Sequence, residues 1–198
     1  MVQADAGNHQ QLVGILLAAG KGARFDPTGA QNKLMQLLPS GECVAVAAAR
    51  TLLAALPQVL AVVRPGADTL ATTLHDIGFT VITCPDADQG MGASLVFALA
   101  QVQDAAGWII GLADMPYVKT ASVSTLIAAL NEGGDIVAPS YQGRRGNPVG
   151  FSRKHLTQLL SLSGDQGARN LLKTHPVTEV AVDDPGILHD IDTAIDLL

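Results

Sequence analysis

Aromatic side chains make up only 4% of the 198 residues, which leaves little surface on which unpaired bases can stack. Positive charge is also in deficit, since 12 Lys and Arg against 18 Asp and Glu give a net charge of −6. Nucleic-acid binding draws on clustered basic residues to neutralise phosphates, so both shortages exclude it and favour a small-molecule ligand. Only 2 cysteines are present, Cys43 and Cys84, and they have no metal or redox spacing. They read as buried free thiols in a reducing compartment. No run approaches the ~20 continuous apolar residues of a membrane span, so no membrane partner is expected. Residues 1–11 are polar and carry neither the basic start nor the apolar centre of a signal peptide. They read as a tail ahead of one domain over residues 12–198, and the cytoplasm is the expected location.

What is abundant is apolar: 48% hydrophobic residues against 15% charged suffice for a core. The chain is organised around the stretch from Leu12 to Arg24. Residues 12–17 have neither charge nor alternation, the pattern of a strand covered on both faces in a parallel sheet. Gly20 and Gly22 then let the backbone approach a ligand, while Lys21, Arg24 and the later Lys33 supply positive charge, a combination suited to phosphate. A Walker loop is excluded because five residues rather than four separate Gly14 from Gly20, and Gly22 stands where the metal-binding hydroxyl belongs. The dinucleotide fingerprint fails too, with Phe25 at the position of its third glycine.

Downstream, strand-like and helical segments alternate, which predicts a parallel sheet with covering helices and right-handed crossovers. Helices are expected over residues 44–56, 68–77, 93–103, 122–132, 154–162 and 170–174. Strands are expected over 59–63, 80–83, 108–113, 136–139, 149–151 and 177–182, with an exposed basic turn over 141–148. Residues 84–95 form a glycine-containing loop whose helix start can leave amide donors for an anion. A nucleophile elbow at Ser94 is excluded because Val96 replaces its final glycine. Asp114 follows the strand over 108–113, and ligands of open α/β sheets collect beyond such carboxyl ends. Asp190 and Asp192 share a side if their segment is extended. His9, His75, His155 and His175 have no metal-ligand spacing, and His189 draws interest only from its neighbours.

Leu17-Ala18-Ala19-Gly20-x-Gly22-x-Arg24 followed by Lys33 resembles the signature of the MobA-like nucleotidyltransferases, nearest the molybdenum-cofactor cytidylyltransferase branch. Further motifs agree in order: Gln89-Gly90-Met91-Gly92-x-Ser94-Leu95 resembles a second nucleotide loop, Leu112-Ala113-Asp114-Met115-Pro116 the metal motif, Gly164-Asp165-x-Gly167-Ala168-Arg169 an acceptor-side segment, and Asp190-x-Asp192-Thr193 a closing acidic element. The resemblance runs from about residue 13 to 193. Two features depart from it, an insert at residues 26–32 and Gly146-Asn147-Pro148 where the family has Gly-His-Pro.

The resemblance implies a three-layer α/β/α fold with a mostly parallel twisted sheet, the nucleotide-diphospho-sugar transferase (GT-A-like, Rossmann-like) fold. It implies Mg²⁺-dependent transfer of CMP from CTP to a molybdopterin-type phosphate, with release of pyrophosphate. Sugar or polyol phosphates are alternative acceptors, and a non-catalytic nucleotide-binding role beside a molybdoenzyme or its chaperone is the alternative to an enzyme. Arg24, Lys33 and Asp114 are the implied catalytic residues. Leu17, Ala18, Ala19, Gly20, Lys21, Gly22, Gly90, Gly92 and Ser94 would bind the nucleotide. Asp114, Asp190 and Asp192 would hold the metal, and Gly146, Asn147, Pro148, Asp165 and Arg169 the acceptor. The amides of residues 19–24 would hold the β- and γ-phosphates, Arg24 the pyrophosphate, and Lys33 the α-phosphate or acceptor. In the family, alanine rather than glycine at position 19 accompanies cytidine nucleotides, because its Cβ narrows the base pocket.

Overall fold

The computed structural model describes residues 11–164 and 167–197. The uncharged opening run is strand β1 (Leu12–Ala18), buried at every residue. There follow α1 (Val44–Ala55), β2 (Val59–Val63), α2 (Asp68–Asp76), β3 (Thr80–Thr83), α3 (Met91–Gln101), β4 (Gly107–Leu112) and α4 (Thr120–Asn131). The chain continues as β5 (Ile136–Tyr141), β6 (Arg144–Arg145), β7 (Val149–Ser152), α5 (Leu156–Leu160), α6 (Arg169–Thr174) and β8 (Thr178–Ala181). The strands form one sheet in the order β3-β2-β1-β4-β7-β5-β6, with β8 against β5. β1 lies parallel to β2 and β4, β2 parallel to β3, and β5 parallel to β8. β7 runs antiparallel to both β4 and β5. The result is a mostly parallel α/β sheet with two reversed strands, β6 and β7, at one side.

β1 fixes the layers, because its side chains alternate between two cores. Leu12, Leu16 and Ala18 join the cluster that holds Leu52 of α1, Leu74 of α2 and Leu126 of α4. Val13, Ile15, Leu17 and the following Ala19 join Leu95 and Leu99 of α3, Leu159 of α5 and Leu171 of α6. Each fully buried Leu or Ile stabilises the fold by roughly 1.5–3 kcal/mol, so a charge on either face of β1 is strongly disfavoured. The expectation for residues 12–17 therefore holds, with one further residue in the strand. α1 ends before Leu56, which adopts φ −132° and ψ 135°. Pro57 follows, and a residue before proline is pushed out of the helical region.

Two differences from expectation bear on the site. α3 begins at Met91 rather than residue 93, because Gly90 takes the N-cap position with φ 109°. Gly92 then packs inside the helix against the loop at 163–164, its amide donating to the Gly164 carbonyl oxygen at 2.8 Å. A Cβ on Gly92 would lie 2.9 Å from that oxygen, so this glycine permits close packing. The supposed basic turn over 141–148 is a hairpin instead. Gln142 and Gly143, with φ of 49° and 74°, reverse the chain so that Arg144 and Arg145 pair with Tyr141 and Ser140. Between the pairs Ser140–Arg145 and Val137–Gly150, residues 146–149 oppose only residues 138–139. The resulting bulge carries Asn147 away from the ladder.

The C-terminal segment closes over the carboxyl end of β4. Asp184 is 1% exposed, and its carboxylate accepts from the Lys119 amide at 2.8 Å, Ser122 Oγ at 2.6 Å and the Gly186 amide at 3.0 Å. Further on, the Ile191 amide donates to the Asp114 carbonyl oxygen at 2.8 Å. Cys84 is buried as expected, whereas Cys43 is half-buried, its Sγ 3.3 Å from the Leu34 carbonyl oxygen. Both thiols are free. Among the described residues no helix is long and apolar enough to cross a membrane.

Candidate functional site

Beyond the carboxyl ends of β1 and β4 lies a cavity of about 580 Å³, bounded by Leu17, Ala19, Gly20, Lys21, Arg24, Gly90, Met91, Ser94 and Asp114 among others. The loop after β1 forms one wall. Gly22, at φ 64°, turns the chain, and its carbonyl oxygen accepts from the Phe25 and Asp26 amides at 2.9 and 3.1 Å. A Cβ on Gly20 would meet nothing within 4 Å, so that face of the backbone is open to a ligand. A Cβ on Gly22 would touch the stem of Lys33 at 3.5 Å. That is ordinary contact, so the left-handed turn rather than the packing of the lysine is what calls for glycine at 22.

The insert at residues 26–32 is an ordered turn that delivers Lys33. The Asp26 carboxylate accepts from Thr28 Oγ1 at 2.6 Å, the Thr28 amide at 2.8 Å and the Gln31 amide at 2.7 Å. The hydroxyl and amide donors of Thr28, with the Gln31 amide, hold its carboxyl below the ordinary value of 3.8. Asn32 caps the following turn by accepting from the Leu34 amide at 3.0 Å. Lys33 opens that turn and is 9% exposed.

At Lys33 the sequence-distant acids converge. Its Nζ donates to Asp114 Oδ2 at 2.7 Å, the Ile191 carbonyl oxygen at 2.9 Å and Asp192 Oδ1 at 3.3 Å. The other oxygen of Asp192 pairs with the exposed guanidinium of Arg24. Arg24, Lys33, Asp114 and Asp192, all expected site residues, thus form one alternating network of charge. Asp190 is exposed and outside it. The chain turns at Asp192, where the Asp196 carboxylate accepts from the Asp192 and Thr193 amides at 3.0 and 2.6 Å.

Of the expected nucleotide contacts, Leu17, Ala19, Gly20, Lys21, Gly90 and Ser94 border the cavity. Ala18 points into the opposite core, and Gly92 is occupied with the 163–164 loop. A second, smaller cavity of about 60 Å³ shares Leu17, Met91 and Leu112 with the first and is bordered by Asn147 and Arg169. Gly146 instead packs on the Ile187 carbonyl, which would lie 2.1 Å from a Cβ there. Pro148 borders a void of only about 10 Å³ beneath the sheet. Asp165 lies outside the described residues.

Sequence reasoning missed two residues. Asp88 borders the large cavity, accepting from Arg64 at 2.8 Å and lying 3.2 Å from Lys21 Nζ. The hydrogen bond and charge of Lys21, then the charge of Arg64, hold its carboxyl below the ordinary value of 3.8. Arg64 directly follows β2, so the strand-end reasoning that selected Asp114 also applied to it.

The donor set fits a hard divalent cation. Asp114 Oδ2 and Asp192 Oδ1 face one point, marked by the Lys33 ammonium. Carboxylate pairs supplemented by phosphate oxygens and water are the usual surroundings of such ions. Among the described residues no group of three or more His, Cys, Asp and Glu converges for a metal, so further ligands would come from the substrate and water.

Comparison with known proteins agrees with this geometry. Residues 14–180 match the family described as the MobA-like NTP transferase domain. Purine catabolism protein PucB of Bacillus subtilis (strain 168) is 33% identical over 195 residues, covering 92% of each chain. The crystal structure of Rv0371c from Mycobacterium tuberculosis H37Rv is similar with a TM-score of 0.83 and 29% identity over 96% of each chain. The same protein in complex with manganese matches at a TM-score of 0.75 and 29% identity, covering 94% of this chain and 95% of that one. The sheet and its helices have the nucleotide-diphospho-sugar transferase fold. This chain is a nucleotidyltransferase and belongs to the MobA-like NTP transferase family.

Proposed function

We propose that the chain is a cytoplasmic, Mg²⁺-dependent cytidylyltransferase, acting as one domain over residues 12–198, that moves CMP from CTP to a molybdopterin-type phosphate. An acceptor phosphate oxygen attacks the α-phosphorus, the bond from that phosphorus to the bridging oxygen breaks, and pyrophosphate leaves. The observation that carries this reading is the meeting of Arg24, Lys33, Asp114 and Asp192 at the rim of a cavity whose wall is the glycine loop. Such a reaction needs positioning and neutralisation more than a nucleophilic side chain, since an anion must approach a polyanion.

In this reading the amides of residues 19–24 bind the β- and γ-phosphates. Arg24 neutralises the departing pyrophosphate, and Lys33 turns toward the α-phosphate. Asp114 and Asp192 hold the divalent cation, which when bound withdraws charge from the phosphate oxygens. The manganese complex of Rv0371c supports a divalent ion here. Ala19 turns toward the cavity side of β1, in keeping with a cytidine base, and the smaller cavity with Asn147 and Arg169 is the acceptor subsite.

The test is pyrophosphate release with Mg²⁺ and CTP, GTP, ATP or UTP in turn, with and without molybdopterin or its molybdenum-loaded form. Release with CTP that depends on the pterin is expected. Release only with a sugar or polyol phosphate would replace the acceptor. Nucleotide binding without release under every condition would reject an enzymatic role in favour of a maturation factor for a molybdoenzyme or its chaperone.

A further inference from the structure

Lys33 is fully engaged before any substrate oxygen reaches it. An ammonium has three donors, and those of Lys33 meet Asp114 at 2.7 Å, the Ile191 carbonyl at 2.9 Å and Asp192 at 3.3 Å. The side chain is 10% exposed and its stem lies against Gly22, so it is held rather than sampling solvent. These are the same two carboxylates that fit a divalent cation. The role of Lys33 on a phosphate and the role of the acids on a metal are therefore incompatible with the contacts they make to each other.

The geometry points to an exchange of cations: Lys33 is the resident counter-ion of the Asp114–Asp192 pair, and a divalent ion binds there by displacing its ammonium toward the substrate phosphates. This rests on the nucleotidyl-transfer reading and adds a coupling to it. A metal arriving alone must expel a buried ammonium from both carboxylates it is bonded to, so its affinity is low. A metal arriving with a triphosphate offers the expelled ammonium new anionic oxygens. Arg24 repeats the arrangement on the outer oxygen of Asp192, where the same polyanion draws it away. Metal and nucleotide then bind with positive coupling, each removing the competitor of the other. Neither acid is left unneutralised at any stage, which matters because both are half-buried and an unpaired charge withdrawn from water is disfavoured.

The experiment is a Mn²⁺ titration without nucleotide, read by the electron paramagnetic resonance of the free ion, on the wild type, Lys33→Met, Lys33→Arg and Lys33→Met/Asp114→Asn. Removing the competing charge is expected to tighten Mn²⁺ binding at least about tenfold in Lys33→Met. Lys33→Arg, which keeps the charge, should stay near the wild type, and the added Asp114→Asn should erase the gain. Unchanged or weaker binding in a folded Lys33→Met, or no binding in any variant up to millimolar metal, would overturn the exchange. A measurement on Lys33 in the wild type guards against misfolding of the Lys33 variants. The ¹⁵N resonance of the Lys33 ammonium, sheltered from water by its three partners, should move as diamagnetic Mg²⁺ is added. A resonance indifferent to Mg²⁺ while Asp114→Asn weakens Mg²⁺ binding would also reject the idea. Neither readout involves CTP or a pterin, so pyrophosphate release by the wild type with an unresponsive Lys33 would sink the exchange and leave the proposed reaction standing.

Discussion

Ala19 and Ala18 differ in fate although they are neighbours in one motif. Ala19 is 5% exposed and borders the large cavity, while Ala18 points into the other core. If the Ala19 methyl narrows the base site, Ala19→Gly should lower the CTP:GTP ratio of kcat/KM by about tenfold, the usual scale for one methyl in a binding pocket. A ratio unchanged in steady-state kinetics would remove Ala19 from base selection. Asp114→Asn is expected to lower metal-dependent kcat by at least about 10²-fold, as loss of a charge-stabilising group at a reacting centre does. Lys33 keeps Asp192 and the Ile191 carbonyl in that variant, so the accompanying loss of stability should be about 1–3 kcal/mol by thermal denaturation. Activity near the wild-type level would reject Asp114 as a metal ligand. The chemistry-bearing residues were legible because charge at the end of an apolar strand has few structural excuses. Ala18 and Gly92 lie off the cavity border, because belonging to a motif does not say which core a methyl enters or what packs against a backbone. Asp88 was missed because its partner, Arg64, comes from a different strand end and no local pattern joins them.

At the scale of elements, burial pattern served better than boundaries. β1 was readable because both its faces are covered, and β2 and β3 because turns bracket them. The start of α3 and the β5–β6 hairpin were not, since each turns on the backbone of one or two residues, Gly90 in the first and Gln142–Gly143 in the second, that composition does not single out. Gly92 provides the test for α3. A methyl there would press on the Ser163 and Gly164 backbone at 2.9 to 3.1 Å, and backbone yields less than a side chain. Gly92→Ala is expected to cost about 1–3 kcal/mol in denaturant unfolding with an unaltered m-value. The 184–193 segment was legible only in its acids; what seats it is Asp184, a buried carboxylate with three donors. Asp184→Ala leaves those donors unpaired and should cost about 2–4 kcal/mol. Because that segment carries Ile191 and Asp192 to Lys33, the same variant should weaken Mn²⁺ binding as well. Stability lost with metal affinity intact would separate the anchor from the site.

The whole molecule carries a net charge of −6, and its carboxylates set how it responds to acid. Among the described residues five of them are held below their ordinary values: Asp26 by Thr28, Asp88 by Lys21, Asp135 by Lys154, Glu179 by Arg145 and Asp196 by Thr193. A group whose folded pKa is depressed adds stability above its unfolded pKa and loses it as pH falls through the folded value. The unfolded values here are about 3.8 for Asp and 4.5 for Glu, so these groups should leave Tm flat above roughly pH 5 and lower it progressively beneath pH 4.5. The five differ in what salt does to them. Asp88, Asp135 and Glu179 owe their shifts first to hydrogen bonds from Lys21, Lys154 and Arg145 and then to the charge of those cations, and at such exposed pairs the charge component is what salt screens. Asp26 and Asp196 owe theirs to hydroxyl and amide donors at short range, which salt leaves largely in place. Melting curves from pH 7 to pH 3 at low and high ionic strength should therefore show an acid loss that salt reduces but does not abolish. In Asp26→Asn, which cannot titrate there, the part that persists in salt should shrink while the screened part stays. An acid loss abolished by salt, or one indifferent to it, would reject this division between carboxylates held by neutral donors and those held by cations.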